Sequence, residues 1–486
     1  MNSVRIERPL LELRAATFWA AALVAAAISW FVFCYGYIED DAFIHLEFAR
    51  SLAGGQGFAF NGHVVYGDTA PLWVLILAGI HSIGFGWVAS AKLACVAGLL
   101  VVVSGAWRLG HELAGDNPAL QFLPIGAVLV TVANPYFAHW SFSGMETLAA
   151  LGVTLWSIST ALLGRPSLRR CSFAALLLAI GPLLRPECVL LDAIIGPLLL
   201  LRFWRASRAS AAQRLAAIVA LGLLMALPVT IWSDYALQTF GAIVPNTNKA
   251  KQGGSITELV PRLLSVYAVG FPVTLALLPF LTLPRLAHWR APVAVSVLLL
   301  WPLACACFYL ANHTVVQTRY SLLSMPSMGI ALLWLIAEAR RPRLFAGTVT
   351  AMVLAATLTI SLVVVPHLIN KQKYIDVLAQ ISRYLRDQMP RQAPVAVFAI
   401  GEVAFESRHP LVDTGGITDR SVIPHMASPA ETLAWAKAHG ARYYITGAPP
   451  EPGAVPVLTA TVPFIGWTFR RSLYDSRETL AIYELP

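Results

Sequence analysis

The chain has 486 residues, of which 57% are hydrophobic and only 13% charged, with a formal net charge of +9 and a mean hydropathy of +0.66. A soluble globular chain carries about 25% charged residues, so these values exclude a water-soluble enzyme. The cations are mostly Arg in short clusters between apolar runs, which excludes a nucleic-acid binder and points to loops facing an anionic membrane leaflet.

In chain order, Arg5, Arg8 and Arg14 precede a first apolar run, Ala15 to Tyr37, which places the N-terminus in the cytoplasm. The run is long and exits into aromatic residues and acids rather than a small-residue cleavage site, so it reads as an uncleaved helix. Glu39-Asp40-Asp41 follow at once. Carboxylates at the edge of hydrocarbon are desolvated and costly, and a run of three there points to function rather than to a solubilising helix end. The spacing of Phe43, Ile44, Leu46 and Phe48 gives a helix over 41–53 suited to the membrane surface. The turn Gly54-Gly55-Gln56-Gly57 ends it and lacks the Lys-Ser/Thr of a phosphate loop. Residues 71–84 are too short to span and read as an interfacial or re-entrant helix.

Further spans are expected at 87–108, 119–138, 145–163, 171–184, 187–202, 213–233, 262–283, 291–311, 320–338 and 344–365. The fold class is therefore an α-helical polytopic membrane protein of about eleven transmembrane helices, N-in and C-out. One side receives Arg108, Arg165, Arg169, Arg170, Arg202, Arg205, Arg208, Arg214, Arg285, Arg290, Arg340, Arg341 and Arg343. Every unusual polar cluster falls on the other, outer side: Glu39 to Asp41, His139 to Glu146, Arg185 to Glu187, Asn246 to Lys251, and His313 to Tyr320. A single site assembled from outer loops is the economical reading. The six cysteines form no readable disulfide or zinc framework.

After residue 368 the composition becomes that of a soluble domain. An amphipathic helix is expected over 370–389, with Tyr374, Val377, Leu378, Ile381 and Leu385 on one face. Strands are expected at Val395 to Ile400, Leu411-Val412, Tyr443 to Thr446 and Thr479 to Tyr483, and a helix at 429–439. The domains are thus 1–368, with a first outer loop over 37–86, and a small extracytoplasmic α/β domain over 369–486.

Asp40 and Asp41 diverge on any regular backbone, so one can meet a substrate hydroxyl while the other holds a different group. Desolvation and like-charge proximity improve a carboxylate as a general base. Lys249, Lys251, Arg319 and Arg185 are candidates to clamp a phosphate. Arg185 and Glu187 are equally suited to pairing with each other at a helix break. His313 and His139 rank lower, as hydrogen-bonded interfacial histidines.

The stretch EDDAFIHLEFARSLAGGQGFAFNGHVVYGDTAPLWVLILA (Glu39 to Ala78) resembles the first outer loop of multispanning glycosyltransferases of the GT-C superfamily, in the pattern of the branch containing the mycobacterial terminal arabinofuranosyltransferase. The likeness continues in NPYFAHWSFSGMET (Asn134 to Thr147), LLRPE (Leu183 to Glu187), VPNTNKAK (Val244 to Lys251) and RYSLLSMP (Arg319 to Pro326). GEVAFESRHPLVDTGGITDR (Gly401 to Arg420) resembles the start of that branch's outer domain. The resemblance implies a polyprenyl-phosphate-linked monosaccharide donor, a glycan or lipid acceptor, and action on the outer face of the plasma (inner) membrane. It also implies an acidic catalytic base in the first outer loop: Asp40 is expected, with Asp41 next. The substrate-binding set is then Lys249, Lys251, Arg319, Arg185, Glu187, Glu146, His313 and Asn246. No resident metal ligand is assigned, and superfamily members differ in whether a divalent cation takes part. Asp68 and Ala70 depart from the branch's usual run, so arabinose specificity is not carried over. The rival readings are a ligase using a polyprenyl-diphosphate donor, a non-catalytic lipid-linked glycan binder and a transporter.

Overall fold

The structure, a computed structural model, describes residues 36–270, 292–338, 342–462 and 479–486. The expected first span up to residue 35 lies outside the described residues, as do Cys34, the end of span 262–283, and Arg285, Arg290, Arg340 and Arg341.

Most of the chain is helical. Among the described residues, five helices are long and apolar enough to cross a membrane: Trp87–Ala114, Ala211–Phe240, Val293–Ala311, Thr318–Glu338 and Ala346–Gln388. Thr318–Glu338 is the central one, buried along nearly its whole length. Trp87–Ala114 lies against Thr147–Leu162, and glycine sets the distance between them. A Cβ on Gly152 would sit 2.7 Å from a Val101 methyl and 2.9 Å from the Val102 backbone nitrogen. Close backbone approach of this kind supplies the packing that holds helices together where the solvent is itself apolar.

Three expectations need correction. The span expected over 119–138 is broken: a helix Leu123–Val132 ends at Ala133, and a second, Pro135–Trp140, starts from the Asn134 side chain, which accepts from the Tyr136 amide. Pro135 pre-sets the new helix's first turn and cannot continue the old one. The separate helices expected over 344–365 and 370–389 are one continuous element, Ala346–Gln388, carried through a π turn at Ile360–Val364. At 1.5 Å per residue it runs roughly 65 Å, about twice the thickness of a hydrocarbon core. Its distal half presents the expected face, Val377, Leu378, Ile381 and Leu385, buried against the C-terminal domain.

The third correction concerns the helix expected over 41–53. It runs over Asp40–Ala53 and is buried, Phe43, Ile44, Leu46 and Phe48 included. It does not lie on a membrane surface, because the C-terminal domain covers it. Phe43 meets Phe405 with ring centroids 5.5 Å apart. From the other side the loop before Thr147 folds over its start. The Glu39 amide donates to the Ser143 carbonyl at 2.9 Å, and Gly144, at φ +88°, leaves no room for a side chain, since a Cβ would stand 2.7 Å from that of Ala42. A short hairpin follows the helix. Its strands, β1 (Ala59–Phe60) and β2 (His63–Val64), are joined by Asn61-Gly62 with φ +51° and +82°, the paired left-handed conformation that Asn-Gly supplies in tight hairpins.

The C-terminal domain is built on a five-stranded sheet of order β4-β3-β5-β7-β6. Its strands are β3 (Val395–Val397), β4 (Leu411–Asp413), β5 (Tyr443–Thr446), β6 (Pro456–Thr461) and β7 (Thr479–Glu484). β4, β3 and β5 are parallel, and β7 and β6 add antiparallel. Strand β6 and the helix Ile400–Ser407, which sits between β3 and β4, were not expected from the sequence.

Candidate active site

The outer clusters expected to converge do so at one end of the helical body, and each is placed there by a helix terminus. Asp41 stands in the first turn of Asp40–Ala53. Glu146 immediately precedes Thr147–Leu162. Arg185 and Glu187 occupy the break between Leu168–Leu184 and Cys188–Ala206. Lys251 follows the short helix Asn246–Ala250, and Arg319 opens Thr318–Glu338. A chain leaving a span brings polar backbone and side chains together at the same depth, so helix ends are where such a site is assembled.

At its centre Arg319 donates to Asp41 Oδ2 at 2.8 Å, and Lys251 Nζ stands 3.9 Å from the same oxygen. Arg319 is only 3% exposed, yet among the described residues its Nε and Nη1 have no hydrogen-bond partner. A buried guanidinium with Nη2 engaged and Nε and Nη1 unengaged is poised for a further acceptor. Burial opposes ionisation of Asp41, but the Arg319 and Lys251 charges outweigh it and hold the carboxyl below its usual range.

His45, one turn on from Asp41, is clamped between two carboxylates. Its Nδ1 is 2.5 Å from Asp68 and its Nε2 3.2 Å from Glu146. Burial disfavours the charged ring, but Asp68 and Glu146 push its pKa up to about 10. Glu146 also accepts from Arg185 at 2.8 Å. Arg185 in turn reaches Glu187 at 2.8 Å, the pairing weighed from the sequence, and lies over the Tyr320 ring at 4.9 Å. The Tyr309 hydroxyl donates to Glu187 at 3.2 Å. Acidic and basic side chains thus alternate from Asp68 to Glu187, each beside an opposite partner out of water.

Two spaces open here. A small pocket of about 20 Å³ is bordered by Asp41, His45, Asp68, Arg319 and, from the C-terminal domain, Ile417. Beside it lies a cavity of about 440 Å³ whose walls include Tyr66, Trp232, Phe308 and Tyr309 together with Arg185. Thr69, Thr247 and Lys251 border both. A charged pocket therefore adjoins a largely apolar chamber, with an ammonium at the junction.

Not every expected residue takes part. Asp40, the expected base, faces away from both spaces: its Oδ1 accepts from the Glu402 amide at 2.9 Å and its Oδ2 from the Gly401 amide at 3.3 Å. Lys249 is exposed and borders neither space, because the helix Asn246–Ala250 turns it outward while bringing Lys251 in. His313 is likewise exposed, in a left-handed turn at φ +50°. Asn246 donates to the Thr418 carbonyl of the C-terminal domain at 3.3 Å, outside the pocket. His139 sits apart, 3.6 Å from Glu39 and stacked on Trp140. His45 was not expected as a pocket residue. The signal for His45 was present, since Asp41 and His45 are four apart and share one helix face. Among the described residues no group of three or more His, Cys, Asp and Glu side chains is disposed to hold a metal ion.

The fold has known counterparts. Two crystal structures of ArnT from Cupriavidus metallidurans superpose on the chain, each with a TM-score of 0.57 and covering 96% of this chain and 98% of the other. The one bound to undecaprenyl phosphate is 14% identical, and the apo form 15%. At that identity the likeness is one of fold, an ArnT-like arrangement of membrane helices and a C-terminal domain. Residues 367–483 match a family model described as a domain of unknown function, DUF8728. No curated protein matches by sequence.

Proposed function

We propose that the protein is a membrane glycosyltransferase of the GT-C type, which moves a single sugar from a polyprenyl-phosphate carrier to a cell-envelope glycan or lipid at the extracytoplasmic face of the plasma membrane. The observation that carries this reading is the junction itself: a charged pocket around Asp41 opens past Lys251 into a 440 Å³ apolar chamber. A lipid-linked anion requires that pairing of surfaces. The ArnT-like fold, known with undecaprenyl phosphate bound in one such structure, supports it.

The reaction is a single displacement with inversion. The acceptor hydroxyl attacks the anomeric carbon as its proton passes to Asp41 Oδ, and the bond from that carbon to the phosphate oxygen breaks on the opposite side. Asp41 replaces Asp40 as base in this reading, because its carboxylate borders the pocket. It enters the reaction ionised. When the donor phosphate draws on Arg319 and Lys251, less of their charge falls on Asp41, and its proton affinity rises when it is needed. The leaving polyprenyl phosphate is a stable anion that asks for no general acid. Lys251 and Arg185, both facing the chamber, offset its new charge.

The test uses the purified full-length protein in nanodiscs, supplied with a total lipid extract from bacterial envelopes as the donor and acceptor pool. Mass spectrometry then follows free polyprenyl monophosphate and diphosphate. Release of monophosphate, falling by about 10²-fold or more in Asp41→Asn, is expected. Release of diphosphate would replace this reading with that of a glycan ligase, and unchanged release in Asp41→Asn would remove Asp41 as base.

A further inference from the structure

We propose that Asp40 is a positioning residue that clamps the C-terminal domain onto the Asp41-bearing helix and so keeps Ile417 as a wall of the reaction pocket. This inference rests on the glycosyltransferase reading but concerns a different residue and a different contact.

Asp40 meets the C-terminal domain at the start of the helix Ile400–Ser407. That helix opens with two backbone amides lacking helical partners, and the Asp40 carboxylate accepts from both, Glu402 at 2.9 Å and Gly401 at 3.3 Å. A carboxylate from elsewhere in the chain thus fills the role of a cap. Both Asp40 and Glu402 are buried, and Glu402 accepts from Ser382 at 2.6 Å. The approach is close because residue 401 is glycine: a Cβ there would collide with the Asp40 carbonyl.

Three further hydrogen bonds fasten the same two bodies. Arg50, at the far end of the Asp40–Ala53 helix, donates to the Phe405 carbonyl at 2.8 Å. Asn61, at the hairpin tip, donates to the His409 carbonyl at 2.8 Å and accepts from the Leu411 amide at 3.0 Å. The domain's loop after β4 is braced by Asp413, which accepts from the Gly415 and Thr418 amides. That loop carries Ile417 over the pocket, and a Cβ at Gly67 would stand 3.1 Å from the Ile417 carbonyl. The Asp41 pocket is therefore incomplete without the C-terminal domain, and Asp40 fixes the domain at the residue next to the base.

The experiment compares Asp40→Asn, Asp40→Ala, Gly401→Ala and Asp41→Asn in the nanodisc assay with the envelope lipid extract, and measures hydrogen exchange across residues 400–420 in each. An Asn retains an acceptor for the helix amides and an Ala does not. Asp40→Asn is therefore expected to keep turnover within about 10-fold of wild type and to exchange like it. Asp40→Ala and Gly401→Ala should share a rise in KM of about 10-fold or more, with faster exchange over 400–420, while kcat falls less. A purely structural role would lower the active fraction without dividing KM from kcat. If Asp40→Asn is as inactive as Asp41→Asn while exchange is unchanged, Asp40 acts in the chemistry and the inference is overturned. If Asp41→Asn is active while the Asp40 series behaves as described, the clamp stands and the assignment of the base falls instead.

Discussion

The helix Thr147–Leu162 has charge clusters at both ends, and they are built to opposite rules. At its C-terminal end Arg170 donates to Glu112 at 2.9 Å and to the carbonyls of Ser159 and Thr160 at 3.0 Å. Arg202 donates to the carbonyls of Ala161 and Gly164. These guanidiniums cap helix carbonyls. At the N-terminal end, Arg319 is more deeply buried, its Nε and Nη1 meet no hydrogen-bond partner among the described residues, and it borders the small pocket beside Asp41. A buried donor without a partner costs about 1–3 kcal/mol. Arg108 Nε at the first end bears one such cost, but Arg319 bears it at two nitrogens and borders a pocket, which supports reading the first cluster as structural and the second as a site.

The comparison breaks most readily at Arg319. Arg319→Ala should lower turnover in the nanodisc assay by about 10²–10³-fold, the scale of losing one preorganised donor, because Asp41 loses its partner and the donor phosphate loses a cation. A loss under 10-fold would return the site end to the status of its opposite.

Lysine exchange sharpens the same contrast within one segment. Lys251→Ala is expected to cost about 10–100-fold in turnover, and Lys249→Ala less than about 2-fold, since only Lys251 borders the cavity. Equal losses would mean that the outward turn of Lys249 does not hold in the membrane.

At the opposite end, Glu112→Ala removes the acceptor shared by Arg108 and Arg170. It should lower the melting temperature by a few degrees, a cost of about 1–3 kcal/mol, while turnover per folded molecule stays unchanged. A loss of turnover with stability intact would assign function to that end.

The gentlest effect expected is on pH. Burial, with Asp41 adding to it, lifts Asp40 from 3.8 to about 7 against the Glu402 and Gly401 amides, and burial, with Asp40 adding to it, lifts Glu402 from 4.5 to about 8. In both, the folded state holds a proton that the unfolded chain releases at lower pH, so stability is greatest at the acid end and declines as pH rises from about 4 toward about 8. The thermal unfolding midpoint should fall by a few degrees over that window. Asp40→Asn, which has no proton to lose, should make the fall shallower. A steeper fall would contradict the direction of the Asp40 shift.

Much of the site was legible because it follows from hydropathy. Once the apolar runs were placed, Arg185, Glu187, Glu146, Lys251 and Arg319 fell at helix ends of the same side, where the structure brings them together. Orientation of a side chain within a turn was not legible. Asp40 and Asp41 are adjacent and chemically identical, and what separates them is an amide pair some 360 residues on. Lys249 and Lys251 differ by where one short helix stops. The break at Ala133–Asn134 is marked by Asn-Pro, a helix stop and restart that the apolar content on either side obscured. Asn61-Gly62, likewise, is a hairpin signal in plain view, and its docking role appears only with the domain it touches.

The most direct test of the account is a structure of the full-length protein with undecaprenyl phosphate bound in nanodiscs. The account places the phosphate within about 4 Å, ion-pair distance, of Lys251 and Arg185, with the tail in the aromatic-walled chamber beside Asp41. A phosphate held instead by Arg170 and Arg202, at the other end of Thr147–Leu162, would contradict it.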